Sequence, residues 1–400
     1  MSRFRRNGTC SSLRASNDPT AKDRGLIGIQ LKGRLGNQMF QYAAARTLAE
    51  GLRCALVVAG HTLGRRFGLA GHWLGLDARQ PYEGKQQNGL LHAAYGCGPG
   101  FGQARLVEIA LPFLRRGCFR QSFSPSSSAV GGDTFEEFDD SVFHQGAGTW
   151  LSGWFQSERY FAANSERVHE WFRPLPEHEQ ALKKSMAQWP APCERMAAIH
   201  VRRGDYALTR DNLGNENQGW LLPMNYYRDA LDRIPRDAGL AVFSDDPDWA
   251  MYEFADRRPW VSRATSAVLD MFLMTRCRWV IAANSSFSWW AAWLNRREDK
   301  IVFAPRHHLG WSVGRWVPGG IEVAGWEYLD VKRLPSGALF HHSSALASIE
   351  RQLVTHMRAL RAHGGIRFST NAAGFSAYCR MPRTASSEAR LRRTAGIPNL

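Results

Sequence analysis

Between residues 191 and 330, four short apolar runs alternate with helical stretches, and each apolar run ends in a polar cluster. Residues 196–201, 240–243, 279–282 and 301–304 are rich in Val, Ile, Leu, Phe and Ala and short enough to be buried strands. Residues 224–234 (behind Pro223), 247–254, 266–276 and 287–294 carry the helical pattern. Such alternation builds a parallel sheet covered by helices on both faces. The polar residues at the carboxyl ends are His200, Arg202 and Arg203, then Ser244, Asp245 and Asp246, then Asn284, Ser285 and Ser286, and finally Arg306. Ligands of open α/β sheets bind at those ends, so residues 191–332 are expected to form a Rossmann-like nucleotide-binding domain.

The first half repeats the theme less clearly. Residues 26–31 read as a strand, 32–38 (KGRLGNQ) as a Gly-rich turn, 39–52 as an Ala-rich helix and 54–58 as a second strand. Residues 122–133 (SFSPSSSAVGGD) read as a surface loop. An amphipathic helix lies within 174–192, with Leu182, Met186 and Trp189 on one side, and it ends in Trp-Pro-Ala-Pro. An inter-domain boundary there makes 25–190 one α/β domain, facing 191–332 across a cleft.

Charge decides what the remaining chain suggests. The sequence carries a formal +15, yet residues 1–24 hold six basic against two acidic side chains and 333–400 hold ten against two, so the body between is nearly neutral. The tails therefore suit weak contact with an anionic membrane or nucleic acid, and the high isoelectric point says little about the cleft. Residues 1–24 read as a basic disordered tail. Residues 344–363 read as an amphipathic helix that packs on the body or lies on a membrane surface, and 366–400 read as disordered. No stretch is apolar enough to span a bilayer, and the basic start lacks the apolar segment of a secretory signal. Seven scattered cysteines without a Cys-x-x-Cys pair indicate neither a disulfide framework nor a zinc site, which fits a reducing compartment.

Several side chains are candidates for chemistry. At a strand's end, Arg202 or Arg203 can fork onto phosphate oxygens because guanidinium is planar and permanently charged. The plain alternative is an ion pair with Asp205. Asn284, Ser285 and Ser286 stand where a strand meets a helix, and they suit a phosphate or cap the helix. Ser244-Asp245-Asp246-Pro247-Asp248 admits three readings: a divalent metal held by Asp-x-Asp, a carboxylate reading the two donors of guanine, or a cap by Asp246 on the helix opened by Pro247. The neighbouring arginines neutralise a diphosphate without metal, which favours the second and third. Gly33-Arg34-Leu35-Gly36-Asn37-Gln38 is neither a dinucleotide fingerprint nor a Walker loop, although Asn37 and Gln38 can hydrogen-bond a sugar or phosphate. His307 and His308 read as structural, and Trp289, Trp290 and Trp293 as core.

Together, GRLGNQMFQYA at 33–43, WLSGWFQSERYF at 150–161, HVRRGDY at 200–206, VFSDD at 242–246 and NSSFSWWAAWL at 284–294 resemble the family 11 glycosyltransferases, the GDP-fucose-dependent α-1,2-fucosyltransferases. The resemblance spans about residues 25–330. It implies a GT-B architecture and transfer of L-fucose from GDP-β-L-fucose, with inversion and without metal or other cofactor, to the 2-hydroxyl of a β-galactoside. It further implies that Arg202 and His200 stabilise the departing phosphate with Arg203 nearby, that Asp245 or Asp246 reads guanine, and that Asn284, Ser285 and Ser286 hold the diphosphate. Asn37, Arg34 and Gln38 would then meet donor and acceptor, with Asp205 beside them; Glu158 and Asp205 are the candidates for the base. Animal members carry an N-terminal membrane anchor that is not evident in this sequence. A cytoplasmic or membrane-peripheral enzyme of bacterial type is therefore expected, acting on a galactose-terminated oligosaccharide or lipid-linked glycan of the cell surface. The alternatives are a different linkage or another GDP-sugar. A non-catalytic nucleic-acid-binding protein is disfavoured by the neutral body and the lack of RRM, KH or zinc-finger signatures.

Overall fold

The structure is a computed structural model, and it describes residues 25–59, 72–74, 119–130, 133–204, 206, 220–264, 266–332, 366–371 and 374–379. The tail 1–24, the helix expected at 344–363 and Asp205 lie outside these residues.

The first sheet comprises β1 (Leu26–Gln30), β2 (Ala55–Ala59), β3 (His72–Leu74), β4 (Gln121–Phe123) and β7 (Thr149–Leu151) in the order β3-β2-β1-β7-β4, every pair parallel. Helix α1 (Leu35–Gly51) joins β1 to β2. It starts four residues before the sequence reading, because the Gly33 turn is complete by Arg34, which takes the extended N-cap conformation. The expected loop at 122–133 is a correction: it holds the end of β4, then β5 (Ser127–Val130), which pairs antiparallel with β6 (Asp133–Glu136). Gly131 and Gly132 lie between β5 and β6 in sequence, the composition of a two-residue hairpin turn, and the surrounding serines hid that signal.

Helices α2 (Ser165–Trp171) and α3 (Pro176–Met186) follow. The second sheet then runs through β8 (Met196–Val201), α4 (Met224–Leu231), β9 (Gly239–Ser244), α5 (Pro247–Glu253), β10 (Trp260–Val261), α6 (Ala267–Met274), β11 (Trp279–Ile281), α7 (Ser286–Leu294), β12 (Ile301–Pro305) and β13 (Glu327–Leu329). Its order is β10-β9-β8-β11-β12-β13, again all parallel. Every strand in the central four is buried along most of its length, which is why each reads as a continuous apolar run rather than an alternating one. These are two Rossmann-like sheets, the GT-B arrangement. Among the described residues no helix is long and apolar enough to cross a membrane.

One apolar core runs across both sheets, through α1 and α7. Phe40 lies 4.4 Å from Trp289 and 4.9 Å from Trp290 between ring centroids, and Phe161 stacks on Trp290 at 5.3 Å. The Trp290 indole N–H donates to the Gly36 carbonyl at 2.9 Å. All three tryptophans of α7 are buried, as a core role requires. The two halves are thus joined by packed aromatics, each pair adding about 0.5–1.5 kcal/mol beyond area burial.

Residues 335–400 form a separate unit. Within it β14 (Ile366–Asn371) pairs antiparallel with β15 (Gly374–Cys379), so disorder throughout 366–400 does not hold for these strands. The alternation of Ile, Phe and Thr with Arg, Ser and Asn in 366–371 is a strand signal that the basic composition of the tail outweighed.

Candidate active site

In a sheet of order 3-2-1-4-5-6, the ligand crevice opens where strand order reverses. Here that is the gap between β8 and β11, and the residues just past those strands are His200–Arg203 and Asn284–Ser286. The two arginines have different fates. Arg202, half-buried, places Nη1 2.7 Å from Asp245 Oδ2 and lies over the Tyr206 ring. Arg203 is buried, with Nε 3.3 Å from Asp246 Oδ2 and its guanidinium 3.9 Å from the Trp249 ring centroid. Burial pulls the Arg203 guanidinium below its ordinary range, and Asp246 opposes that shift. The Arg203 backbone N–H donates to Asp245 Oδ1 at 2.9 Å. The ion pairs of this strand end are therefore made with β9's carboxyl end.

Asp246 also accepts the Trp249 N–H at 3.2 Å, which makes it the N-cap of α5, with Pro247 opening the helix. Both of its oxygens are engaged. Asp245 is exposed. Across the gap, Ser285 caps α7 by accepting the Phe287 N–H, while Asn284 donates through Nδ2 to the Trp220 carbonyl. Tyr206 donates to the Asn284 carbonyl at 3.2 Å, so Arg202, Tyr206 and Asn284 link the two strand ends.

His200 is buried beside Phe287, and its Nδ1 has no hydrogen-bond partner among the described residues. Burial pushes its imidazole down to about 4, against the pull of Asp245. His308 is likewise pushed down to about 4 by burial, consistent with a structural residue. Both rings are neutral when folded and take up a proton on unfolding below about pH 6.5. The unfolded state then binds more protons, so stability is full above that pH and falls as pH drops towards 4, by on the order of 3 kcal/mol per ring. Scanning calorimetry from pH 7 to 4.5 is expected to show this fall in Tm; a flat profile contradicts the burial of these imidazoles.

The first sheet reverses order between β1 and β7, and its residues there are Lys32–Asn37 and Ser152–Gln156. The two reversal points meet. Asn37 Oδ1 accepts from Ser286 Oγ at 2.7 Å and from Gln156 Nε2 at 2.9 Å, so one amide joins the start of α1, the segment after β7 and the start of α7. Both bonds fall on Oδ1, which leaves the Nδ2 donors outside them. Gly36 lets α1 approach this close, because a Cβ there would sit 2.5 Å from the Ser286 carbonyl carbon. Gly33 has φ +73°. Arg34 is exposed at the N-cap, and Gln38 donates to the Gly33 carbonyl at 2.9 Å, closing the turn.

Glu158 is tied up elsewhere: it accepts the Trp293 indole N–H at 2.8 Å, and Trp293 lies seven residues, about 10 Å, along α7 from Ser286. The residues that sequence reasoning missed are Trp154, Gln156 and Glu136. Glu136 accepts the backbone N–H groups of Trp154 and Phe155, and burial raises its carboxyl above the ordinary range despite those bonds and the nearby Lys32. The available signal was the three-residue strand Thr149–Leu151, whose carboxyl end leads into Gly153-Trp154-Phe155-Gln156.

Residues 136–308 match the model of glycosyl transferase family 11. An O-antigen biosynthesis glycosyltransferase, WbnK of Escherichia coli, is 28% identical over 294 residues, covering 69% of this chain and 92% of that relative. Residues 136–308 of the chain thus resemble glycosyl transferase family 11. An α-1,2-colitosyltransferase of Escherichia coli is 32% identical to this chain over 162 residues, 38% of this chain and 53% of that one. Solved structures similar to it include the fucosyltransferase NodZ from Bradyrhizobium (13% identity, TM-score 0.35, covering 67% of this chain and 93% of that one). A variant of Arabidopsis thaliana FUT1 in complex with GDP has 12% identity and a TM-score of 0.40, covering 80% and 81%. The family match and these relatives support a glycosyltransferase.

Proposed function

We propose that this glycosyltransferase moves L-fucose from GDP-β-L-fucose, with inversion, to the 2-hydroxyl of a β-galactoside in a cell-surface glycan. The observation that carries the reading is the meeting of both sheets' reversal points at Asn37 and Ser286, with Arg202 at the adjoining strand end. In this reading the diphosphate lies at the start of α7, where the free N–H groups and the helix dipole favour negative charge, with Ser286 and Ser285 beside it. Asn284 holds the turn that presents them. Arg202 supplies the fixed positive charge against which the leaving phosphate develops its own, and such electrostatic stabilisation contributes most to a transfer of this kind. The unpartnered His200 Nδ1 adds a neutral donor. Asn37 presents Nδ2 to the sugar between the halves. Of the two carboxylates, Asp245 is the exposed one and would have to release Arg202 to take the guanine edge, while Asp246 and Arg203 hold the floor of the site. Arg34 and Gln38 border the acceptor side.

No metal enters this reading. Asp245 is paired with Arg202, Asp246 with Arg203 and Asp248 with Arg263, so the Asp-x-Asp carboxylates are already neutralised by arginine. The relatives' names support a surface polysaccharide as the acceptor and a 1,2 linkage, and the colitosyl relative makes the identity of the donor sugar the first point to test.

The test is a transfer assay with GDP-fucose and other GDP-sugars against galactose-terminated acceptors, with and without EDTA. An α-1,2-fucosylated product at undiminished rate in EDTA is expected. Loss of activity in EDTA moves Asp246 and Asp248 to a metal role. Preference for another GDP-sugar, or a product of different linkage, replaces the donor or acceptor half of the reading.

A further inference from the structure

Trp154 has 39% of its surface open to solvent, whereas Trp150, Trp171, Trp249, Trp279, Trp289, Trp290, Trp293 and Trp311 are buried. It does not sit on the outside of a helix. It follows β7 at the reversal point of the first sheet, and its ring rests on Gly33: a Cβ at that glycine would lie 2.9 Å from Trp154 Cζ3 and 2.8 Å from Asn37 Nδ2. The indole is thus adjacent to the amide that joins the two sheets.

Its backbone is fixed from three directions. Both oxygens of Glu136 accept the Trp154 N–H, at 2.9 and 2.7 Å, and one also accepts the Phe155 N–H at 3.1 Å. Phe155 is fully buried in a left-handed conformation, φ +53°, which a non-glycine residue holds only when its surroundings enforce it. Gln156, two residues on, is bonded to Asn37. A large apolar ring held in this way pays little ordering entropy when a ligand covers it, which is how aromatic platforms serve binding sites. An exposed apolar ring beside the polar groups of Asn37 and Gln156 suits an occupant with one apolar face. The axial and equatorial C–H bonds on one face of a galactopyranose provide that face, while its hydroxyls point outward to polar partners.

We propose that the Trp154 indole is the platform on which the acceptor's galactoside ring stacks, with Glu136 as the residue that positions it. This deepens the reading of the site as a fucosyl transfer centre and rests on it. The donor's diphosphate is expected to be untouched, since Arg202, Ser285 and Ser286 stand on the second sheet's side while Trp154 follows β7 of the first.

The test compares wild type, Trp154→Ala and Trp154→Phe. With a turned-over acceptor, Trp154→Ala is expected to raise the acceptor KM about tenfold with little change in kcat, the pattern of lost uniform binding. Slow hydrolysis of GDP-fucose by water is expected within about twofold of wild type, and Trp154→Phe is expected to recover most of the acceptor affinity. In parallel, saturation-transfer NMR with methyl β-D-galactopyranoside and lactose on the GDP complex is expected to show sugar C–H signals in wild type and their loss in Trp154→Ala. No sugar signal in wild type, an equal signal in both, or a KM unchanged in Trp154→Ala overturns the proposal. A fall in GDP-fucose hydrolysis matching the fall in transfer overturns it too, because the tryptophan is then structural. If wild type does not hydrolyse GDP-fucose at all while the sugar signal behaves as expected, the donor reading fails and the platform stands.

Discussion

Replacing Arg202 with alanine is expected to lower kcat/KM for transfer by about 100- to 1000-fold, the loss found when one fixed donor to a developing charge is removed. GDP binding is expected to weaken by about tenfold or more, since a charge-assisted hydrogen bond contributes roughly 1.5–3 kcal/mol. The fold should not follow. Arg202 is half-buried at the crevice, and Asp245, the carboxylate it leaves behind, is exposed and still accepts the Arg203 N–H. Tm is therefore expected to stay within a few degrees of wild type. Arg202→Lys should also lose most of the activity, because a point charge cannot span two phosphate oxygens as the guanidinium fork does. The neighbouring residue provides the contrast. Arg203→Ala strips the partner from buried Asp246 and uncovers Trp249, and removing one member of a buried pair costs about 3–5 kcal/mol. Its expected signature is a lowered Tm. Full transfer activity in Arg202→Ala, measured alongside GDP titration and calorimetry, would falsify the assignment of the leaving-group site.

That two adjacent arginines divide into a half-buried one at the crevice and a buried one was half legible in the sequence. Strand periodicity puts them on opposite faces, and the apolar run 196–201 fixes where the strand ends. Which face looks into the crevice depends on the order in which strands pair, and no local pattern encodes that. The second sheet was readable because its central strands are buried on both faces, so each is a short block of Val, Ile, Leu, Phe and Ala with polar residues beyond. The first sheet was not. Its strands β3, β4 and β7 have three residues each, too few to show a period, and the serines of β4 and β5 look like loop. The site suffered accordingly. His200, Arg202, Asn284, Ser285 and Ser286 could be picked out as strand-end residues, whereas Trp154, Gln156 and Glu136 depended on recognising β7. Asn37 could be named but not placed: its partner Ser286 is 249 residues away, and only the packing of α1 on α7 brings them together.

That packing makes Gly36 the position where a single methyl group should do most damage. In an isolated helix, replacing glycine by alanine stabilises by roughly 1 kcal/mol, so propensity alone predicts a gain. Here the added Cβ would stand 2.5 Å from the Ser286 carbonyl carbon and 2.7 Å from the Phe287 nitrogen, backbone atoms at the first turn of α7 that cannot rotate away. The start of α1 must retreat by about an ångström to restore ordinary contact. Retreat stretches two bonds: Ser286 Oγ to Asn37 Oδ1, now 2.7 Å, and the buried Trp290 indole N–H to the Gly36 carbonyl, now 2.9 Å. Overpacking costs about 1–3 kcal/mol and the orphaned indole N–H about as much again, together well above the propensity gain. Gly36→Ala is therefore expected to lower Tm by several degrees. It should also cut transfer by about 100-fold, since a shift of an ångström between reacting partners costs that much. GDP affinity should change less than transfer, because of the residues proposed to hold the diphosphate only Ser286 loses a partner, while Arg202 and Ser285 keep theirs within the second half. Calorimetry, transfer kinetics and GDP titration on one variant separate these effects. Loss of transfer with GDP binding retained locates the chemistry between the halves; equal loss of both would place it within the second sheet alone, and wild-type values throughout would mean that α1 and α7 do not meet as closely as Gly36 requires.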